Sequence, residues 1–151
     1  MVNAYLGYKF LGLLLVVLLN AAFASAEVAL LSVRPSRLRE MVAEGVSGAG
    51  AALRLRSEPQ LLLSVVQVGV TLASLGAGWV GESVVYETLV QMGGLVVPPH
   101  LAPWLHAISF VLSFLLLTFL MVVIGEVVPK NVAIQNADRL SVLVSPPLLV
   151  F

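Results

Sequence analysis

Gly125-Glu126-Val127-Val128-Pro129-Lys130 follows a long apolar run, residues 101–124, that contains no acidic residue, lysine or arginine. A carboxylate this close to a membrane-spanning segment is costly and is rarely kept without a partner. Pro129 has no N–H for the carbonyl four residues earlier, that of Gly125. A free carbonyl oxygen beside a carboxylate suits a hard cation. The alternative is a plain helix end, with Glu126 extending to water.

The composition around this segment is that of an integral membrane protein. Of the 151 residues, 60% are hydrophobic and 11% are charged, whereas soluble domains average about a quarter charged residues. The chain has no cysteine, which excludes disulfides and thiolate metal sites. Arginines without interleaved aromatic residues give no support for nucleic-acid binding. The sequence shows no nucleophile–base pair and no metal cluster of catalytic type, so an enzyme is not expected.

Three segments are long and apolar enough to cross a membrane, which takes roughly 20 residues. They are residues 10–31, 59–81 and 103–128, and they predict an all-α membrane protein forming a single transmembrane domain. Trp79 and Trp104 fall at the same end of spans two and three, as in an aromatic belt. The competing interpretation of span one is a signal peptide, because Ala24-Ser25-Ala26 resembles a cleavage site. Continuation of the apolar pattern to Leu31 favours an uncleaved span.

The distribution of basic residues predicts the orientation of the chain. The first connection holds five of the eight basic residues, and the second connection holds none. By the positive-inside rule, the N-terminus lies outside and the C-terminus is cytoplasmic. This arrangement predicts a multi-pass protein of the cell (inner) membrane.

The connections are predicted to contain further helices. Residues 35–56 are expected to form interfacial helices that break near Gly45, and residues 131–145 another that Pro146-Pro147 ends. The outer connection is predicted to form turns around a brief helix near Tyr86. The apolar run at residues 148–151 suggests that a cytoplasmic regulatory portion is missing.

The polar residues of span two fall on one helix face. This polar stripe, spaced for a helix with 3.6 residues per turn, consists of Ser64, Gln67, Thr71, Ser74 and Gly78. Such a stripe is costly against lipid, so it is expected to face protein or a wet cavity. The alternative is that the hydroxyls bond their own backbone carbonyls and merely pack.

Span one offers two candidate ligands on neighbouring faces. Asn20 shares a face with Ala24 and Glu27, and Ser25 lies on a face of small residues that favours close helix packing. Glu27 is expected to pair with Arg34 rather than to bind a cation. His100 and His106, at the outer end of span three, are expected to be interface residues.

These positions together predict a cation site. The predicted ligands are Glu126, the Gly125 carbonyl, the Thr71 and Ser74 hydroxyls, and Asn20 or Ser25 from span one. Glu126 and Ser74 differ in depth, so without a tilt or bend Ser64 and Gln67 become the closer partners. Because all these ligands are oxygens, the site suits Mg²⁺, Ca²⁺ or Na⁺ better than zinc or copper.

Three stretches of the sequence form distinctive motifs. They are Leu-Asn-Ala-Ala-Phe-Ala-Ser-Ala-Glu-Val-Ala-Leu (19–30), Gln-Val-Gly-Val-Thr-Leu-Ala-Ser (67–74) and Gly-Glu-Val-Val-Pro-Lys (125–130). Together they resemble the transmembrane domain of the CNNM/CorC magnesium-transporter family. The resemblance implies a homodimer that exports Mg²⁺ from the cytoplasm, coupled to Na⁺ entry. It implies a cation site formed by Ser25 or its neighbours, Thr71 or Ser74, the Gly125 carbonyl and Glu126. It also implies nucleotide binding through a cytoplasmic domain pair that this chain lacks.

A second hypothesis assigns the chain a different role. It would be a membrane anchor and dimerisation module for a missing cytoplasmic sensory domain, with polar stripes that serve helix packing only.

Overall fold

The computed structural model describes residues 2–93 and 100–150. The described residues form seven α-helices and one π-helical turn, and they contain no strand. The helices are α1 Val2–Ser32, α2 Pro35–Ala43, α3 Ala49–Ser57, α4 Pro59–Gly93, α5 Ala102–Val122, α6 Val128–Gln135 and α7 Ala137–Val150, and the π turn is Val123–Val127. The predicted all-α fold is confirmed.

Three helical segments are long and apolar enough to cross a membrane, which confirms the predicted number of spans. They are Leu6–Ser32 in α1, Pro59–Thr88 in α4, and Ala102–Gln135 across α5, the π turn and α6. Each segment extends beyond the limits expected from the apolar pattern, because amphipathic residues at the span ends also adopt helical geometry.

The brief separate helix expected near Tyr86 is wrong, because Tyr86 lies inside α4. Two contacts hold this end of α4 against its neighbours. Lys9 of α1 forms an ion pair with Glu87 at 2.6 Å, and the Tyr86 ring stacks on His106 of α5 with centroids 3.9 Å apart. The turns predicted for the outer connection fall largely on residues 94–99, which lie outside the described residues.

The buried core lies at one end of the bundle, where α1 ends and α4 begins. We call this the basic end, because the arginines of the first connection lie there. Phe23, Ala26 and Leu30 of α1 pack there against residues of α2, α3, α4 and α7, including Leu38, Leu55, Leu62 and Leu148. Away from this core, α5 exposes apolar side chains such as Phe110, Phe114 and Phe119, as expected of a surface that faces lipid.

The break between α2 and α3 lies where the sequence predicts it, but the end of α7 does not. Gly45 and Gly48 lie between α2 and α3 with φ of 74° and 85°, so the break is where the glycines predicted it. Pro146 and Pro147, however, do not end α7, which continues to Val150. Pro146 cannot donate to the Val142 carbonyl, and the Gly48 backbone packs so closely on that carbonyl that a Cβ at position 48 would overlap it. This contact covers the oxygen that the proline leaves unpaired.

Helices α1 and α4 are in close contact at Gly69. A Cβ at this position would overlap the Phe23 ring, and Phe23 belongs to the core. Gly69→Ala is therefore expected to lower the melting temperature, because overpacking a core costs about 1–3 kcal/mol. Thermal unfolding of the purified protein measures the effect.

Gly78→Ala is the matched control on the same helix, since a Cβ there meets nothing within 4 Å. Its melting temperature is expected to stay unchanged or to rise, because alanine favours helix more than glycine does. Equal decreases in both variants would contradict the packing of α1 on α4.

Candidate cation site

The third span changes its hydrogen-bonding pattern at the motif Gly125–Lys130. The Val128 N–H donates to the Val123 carbonyl, five residues earlier, as in a π-helix. Pro129 follows and has no N–H for the carbonyl of Gly125. The turn contains one residue more than an α-helical turn, and the helix continues through Pro129 into α6. Such π turns are frequent at functional sites. The turn brings Gly125 against α1.

Asn20 of α1 is the residue that meets Gly125. Its side-chain Nδ2 donates to the Gly125 carbonyl at 2.9 Å, and the residue is only 3% exposed. A Cβ at position 125 would lie 2.9 Å from the same Nδ2. Glycine at position 125 therefore allows the α1 amide to reach the backbone of the π turn.

The other polar atom of the Asn20 side chain is the most informative atom of the site. Its Oδ1 is buried and has no hydrogen-bond partner among the described residues. A buried acceptor without a donor costs about 1–3 kcal/mol. Amide oxygens are ordinary ligands of hard cations, and a bound cation would satisfy this oxygen without disturbing the bond to Gly125.

Glu126, the next residue, supplies a carboxylate that is already paired. Lys130 Nζ lies 2.8 Å from Glu126 Oε1 and 3.5 Å from Glu27 Oε2. The expected pairing of Glu27 with Arg34 is wrong. Arg34 lies beyond the end of α1 at Ser32, and Lys130 of α6 is the residue that approaches Glu27. Two carboxylates and one ammonium give this cluster a net charge of −1, which favours a cation.

Lys130 is not among the site residues predicted from the sequence. The spacing of Glu126 and Lys130, four residues apart on one helix, is a signal that predicts their pairing. The contact of Lys130 with Glu27 joins two helices, and no local pattern indicates it.

Two of the predicted hydroxyl ligands bond to their own helix. Thr71 Oγ1 donates to the Gln67 carbonyl at 2.7 Å, and Ser25 Oγ donates to the Ala22 carbonyl at 3.0 Å. Their oxygens retain lone pairs that can still bind a cation. Among the described residues, the bond between Asn20 and Gly125 is the only hydrogen bond that joins two of the predicted ligands.

Ser74 lies in a different place. It lines a groove of about 360 Å³ between α4 and α5, together with Glu82, Ser113 and Thr118. Asn20, Gly125 and Glu126 do not line this groove. The polar stripe of α4 to which Ser74 and Thr71 belong is exposed on the surface of the chain. Ser64 and Gln67, on the same stripe, are not covered by the described residues either.

The ligand set is poor in charged groups. Within residues 2–93 and 100–150, no three His, Asp or Glu side chains form a group that could hold a metal ion. His106 lies 3.8 Å from Glu82 on the first turns of α5, at the opposite end of that helix from Gly125. The candidate site therefore consists of an amide oxygen, a backbone carbonyl and one carboxylate, which suits a hard cation that keeps part of its water.

Comparison with known proteins connects this arrangement to a family. The family model of the Cyclin M transmembrane N-terminal domain, CNNM, matches residues 10–151. UPF0053 protein YhdP of Bacillus subtilis is 40% identical over 137 residues, covering 88% of this chain and 30% of YhdP. UPF0053 protein YugS of the same organism is 36% identical over 133 residues, covering 88% of this chain and 30% of YugS.

A third relative comes from Mycobacterium tuberculosis. The uncharacterized protein Rv1841c of strain H37Rv is 38% identical over 139 residues, covering 91% of this chain and 38% of that protein. The chain thus spans between 30% and 38% of the length of these three relatives.

Proposed function

Because the chain belongs to the CNNM family, defined by the Cyclin M transmembrane N-terminal domain, we propose that it transports Mg²⁺ across the membrane. The cation binds between α1 and the π turn, at Asn20 Oδ1, the Gly125 carbonyl and the Glu126 carboxylate. One observation carries the proposal: among the described residues, Asn20 Oδ1 is buried and has no donor, while the same side chain bonds the carbonyl of Gly125, the residue that precedes Glu126.

The chemistry of the ligands favours Mg²⁺ as the substrate. Mg²⁺ prefers compact octahedral oxygen coordination and gives up its water reluctantly, so one or two carboxylates with water often suffice to bind it. A site with a single available carboxylate binds modestly and releases readily, as transport requires.

Lys130 gives the site a built-in counter-ion. Its ammonium lies 2.8 Å from Glu126 Oε1 and neutralises that carboxylate. An arriving cation displaces the ammonium, which then pairs with Glu27, already 3.5 Å away. Lys130 therefore weakens cation binding and speeds release by competing for the same carboxylate.

The direction of transport and the assembly are part of the same proposal. The five arginines of the first connection support a cytoplasmic position for the basic end. We further propose that the protein exports Mg²⁺ from the cytoplasm and that entering Na⁺ drives the export, as the resemblance to the CNNM/CorC family implies. Two copies form a homodimer in which the partner covers the polar stripe of α4. Nucleotide acts through a cytoplasmic domain outside this chain.

A second candidate function is a membrane anchor and dimerisation module. The local hydrogen bonds of Ser25 and Thr71 favour it, because hydroxyls that bond their own helix can serve packing alone. The two functions differ in their response to Mg²⁺. A transporter is stabilised against heat by Mg²⁺ and an anchor is not.

Transport itself is tested with the purified protein in liposomes that contain a Mg²⁺-sensitive dye. Flux above that of protein-free vesicles supports the proposal. Flux equal to that of empty vesicles, together with no thermal stabilisation by Mg²⁺, supports the anchor.

Lys130→Gln is expected to raise the affinity for Mg²⁺ at least three-fold, because the competing ammonium is removed while Glu126 remains. Unit charges about 4 Å apart interact by about 1 kcal/mol in water, which is about five-fold in affinity, and by more near a protein, so a three-fold increase is a lower limit. The Mg²⁺ concentration that gives half of the maximal thermal shift measures the effect.

The matched control is Lys9→Gln, which removes the lysine that pairs with Glu87 near the other end of the bundle. Its Mg²⁺ affinity is expected to equal that of the wild type. A Lys130→Gln affinity equal to or lower than the wild-type value would contradict the counter-ion role.

A further inference from the structure

A polar cavity at the basic end is not used by the proposed cation site. It has a volume of about 710 Å³ and lies between the turn from α1 to α2 and the turn from α6 to α7. Two of the candidate spans, Leu6–Ser32 and Ala102–Gln135, end at its walls. The cavity therefore opens where these helices leave the hydrocarbon, at the depth of the lipid headgroups.

Three arginines line this cavity, and two of them are not neutralised. Arg37 forms ion pairs with both acidic residues of the cavity, Glu40 at 2.7 Å and Asp138 at 3.5 Å. The hydrogen bond to Glu40 raises the pKa of Arg37, so the guanidinium stays charged within these ion pairs. Arg34 and Arg139 form no ion pair with any residue in the described part of the chain. The cavity thus carries surplus positive charge.

The donors around the cavity suit a phosphate group. A guanidinium presents paired N–H donors that match two phosphate oxygens, and the Ser36 hydroxyl and Gln135 amide also line the cavity. Basic pockets between transmembrane helices on the positive side of a membrane bind anionic headgroups. The ligand class is therefore a phosphate anion.

The apolar residues beside the cavity indicate a lipid rather than free phosphate. Ile134 lines the cavity and is 59% exposed, and Leu31, next to the cavity residue Ser32, is 40% exposed. Acyl chains that pass along these side chains would remove apolar surface from contact with water and headgroups. We propose that the cavity binds the headgroup of an anionic phospholipid, with its phosphate between Arg34 and Arg139.

The test is a titration of phosphatidylglycerol into the purified protein in a neutral detergent, followed by the rise in melting temperature. The double variant Arg34→Gln/Arg139→Gln is expected to bind phosphatidylglycerol roughly 20-fold more weakly. Each basic residue near an anionic surface strengthens binding by about five-fold, and two such residues are removed. The variant Arg34→Lys/Arg139→Lys keeps both charges but cannot bind two oxygens with each side chain, and a loss of about three-fold is expected.

Arg39→Gln/Arg54→Gln is the matched control. It also removes two arginines at the basic end, both from the first connection, but neither of them lines the cavity. Its affinity is expected to stay within about two-fold of the wild-type value. Equal losses in this control and in the cavity variant, or wild-type affinity in both cavity variants, would overturn the assignment.

Phosphatidylcholine and soluble glycerol phosphate are expected to give no shift in melting temperature at the same concentrations. A shift with glycerol phosphate equal to that with phosphatidylglycerol would overturn the lipid as the ligand.

Discussion

Glu126→Gln is expected to reduce Mg²⁺ flux by at least about 100-fold. The amide has the size of the carboxylate and leaves the π turn in place, but it removes the negative charge that attracts the cation. Unit charges about 4 Å apart near a protein surface interact by about 4 kcal/mol, and each 1.4 kcal/mol corresponds to about ten-fold in affinity. Liposome flux and thermal stabilisation by Mg²⁺ are expected to be lost together.

The control for this substitution is Glu87→Gln. Glu87 pairs with Lys9 at 2.6 Å near the opposite end of the bundle from Glu126, so its loss removes a charge of the same kind outside the candidate site. Its flux is expected to stay close to the wild-type rate. Wild-type flux in Glu126→Gln would remove the carboxylate from the mechanism, and with it the proposed transport site.

Asn20→Leu is expected to lower the affinity for Mg²⁺ at least ten-fold and also to destabilise the protein. Leucine is similar in size but supplies neither the oxygen proposed to bind the cation nor the amide that donates to Gly125. The stability cost is expected to be about 1–3 kcal/mol, because the buried carbonyl loses its partner. Melting temperatures with and without Mg²⁺ separate the two effects, since only their difference reports binding.

Asn20→Asp distinguishes a ligand from a packing residue. It keeps an oxygen at the same place and adds a charge while removing the donor to Gly125. Mg²⁺ is expected to stabilise Asn20→Asp at least as strongly as the wild type. If Asn20→Leu retains wild-type Mg²⁺ stabilisation, its side-chain oxygen is not a ligand.

Hydropathy and proline chemistry made part of this arrangement predictable. The three spans follow from apolar length alone, because a helix that crosses hydrocarbon must satisfy its backbone internally. The missing N–H of Pro129 singled out the Gly125 carbonyl. Asn20 was one of two candidates on span one, because polar side chains inside a span rarely face lipid.

The contacts between distant parts of the chain were not predictable. Glu27 pairs with Lys130 although Arg34 is nearer in sequence, since helix rotation and the π turn decide which side chains face each other. The prolines of α7 were expected to end the helix, but Gly48 covers the Val142 carbonyl that Pro146 leaves unpaired. Such compensation depends on tertiary packing and leaves no local signal.

The roles of Ser25, Thr71 and Ser74 remain predictions. Thr71 and Ser74 belong to the exposed polar stripe of α4, and what covers that stripe in the proposed homodimer decides whether their hydroxyls reach the ion. Helical spacing places residues on one face, but it does not show what that face contacts.

The most direct test of the cation site is the position of bound Mn²⁺, a divalent substitute for Mg²⁺ with an anomalous X-ray signal, in crystals of the protein. We expect an anomalous peak within about 2.5 Å of Asn20 Oδ1 and the Glu126 carboxylate, with the Lys130 ammonium moved from Glu126 to Glu27. Mn²⁺ bound only in the groove beside Ser74 and Glu82, with Lys130 still paired to Glu126, would contradict the proposed site.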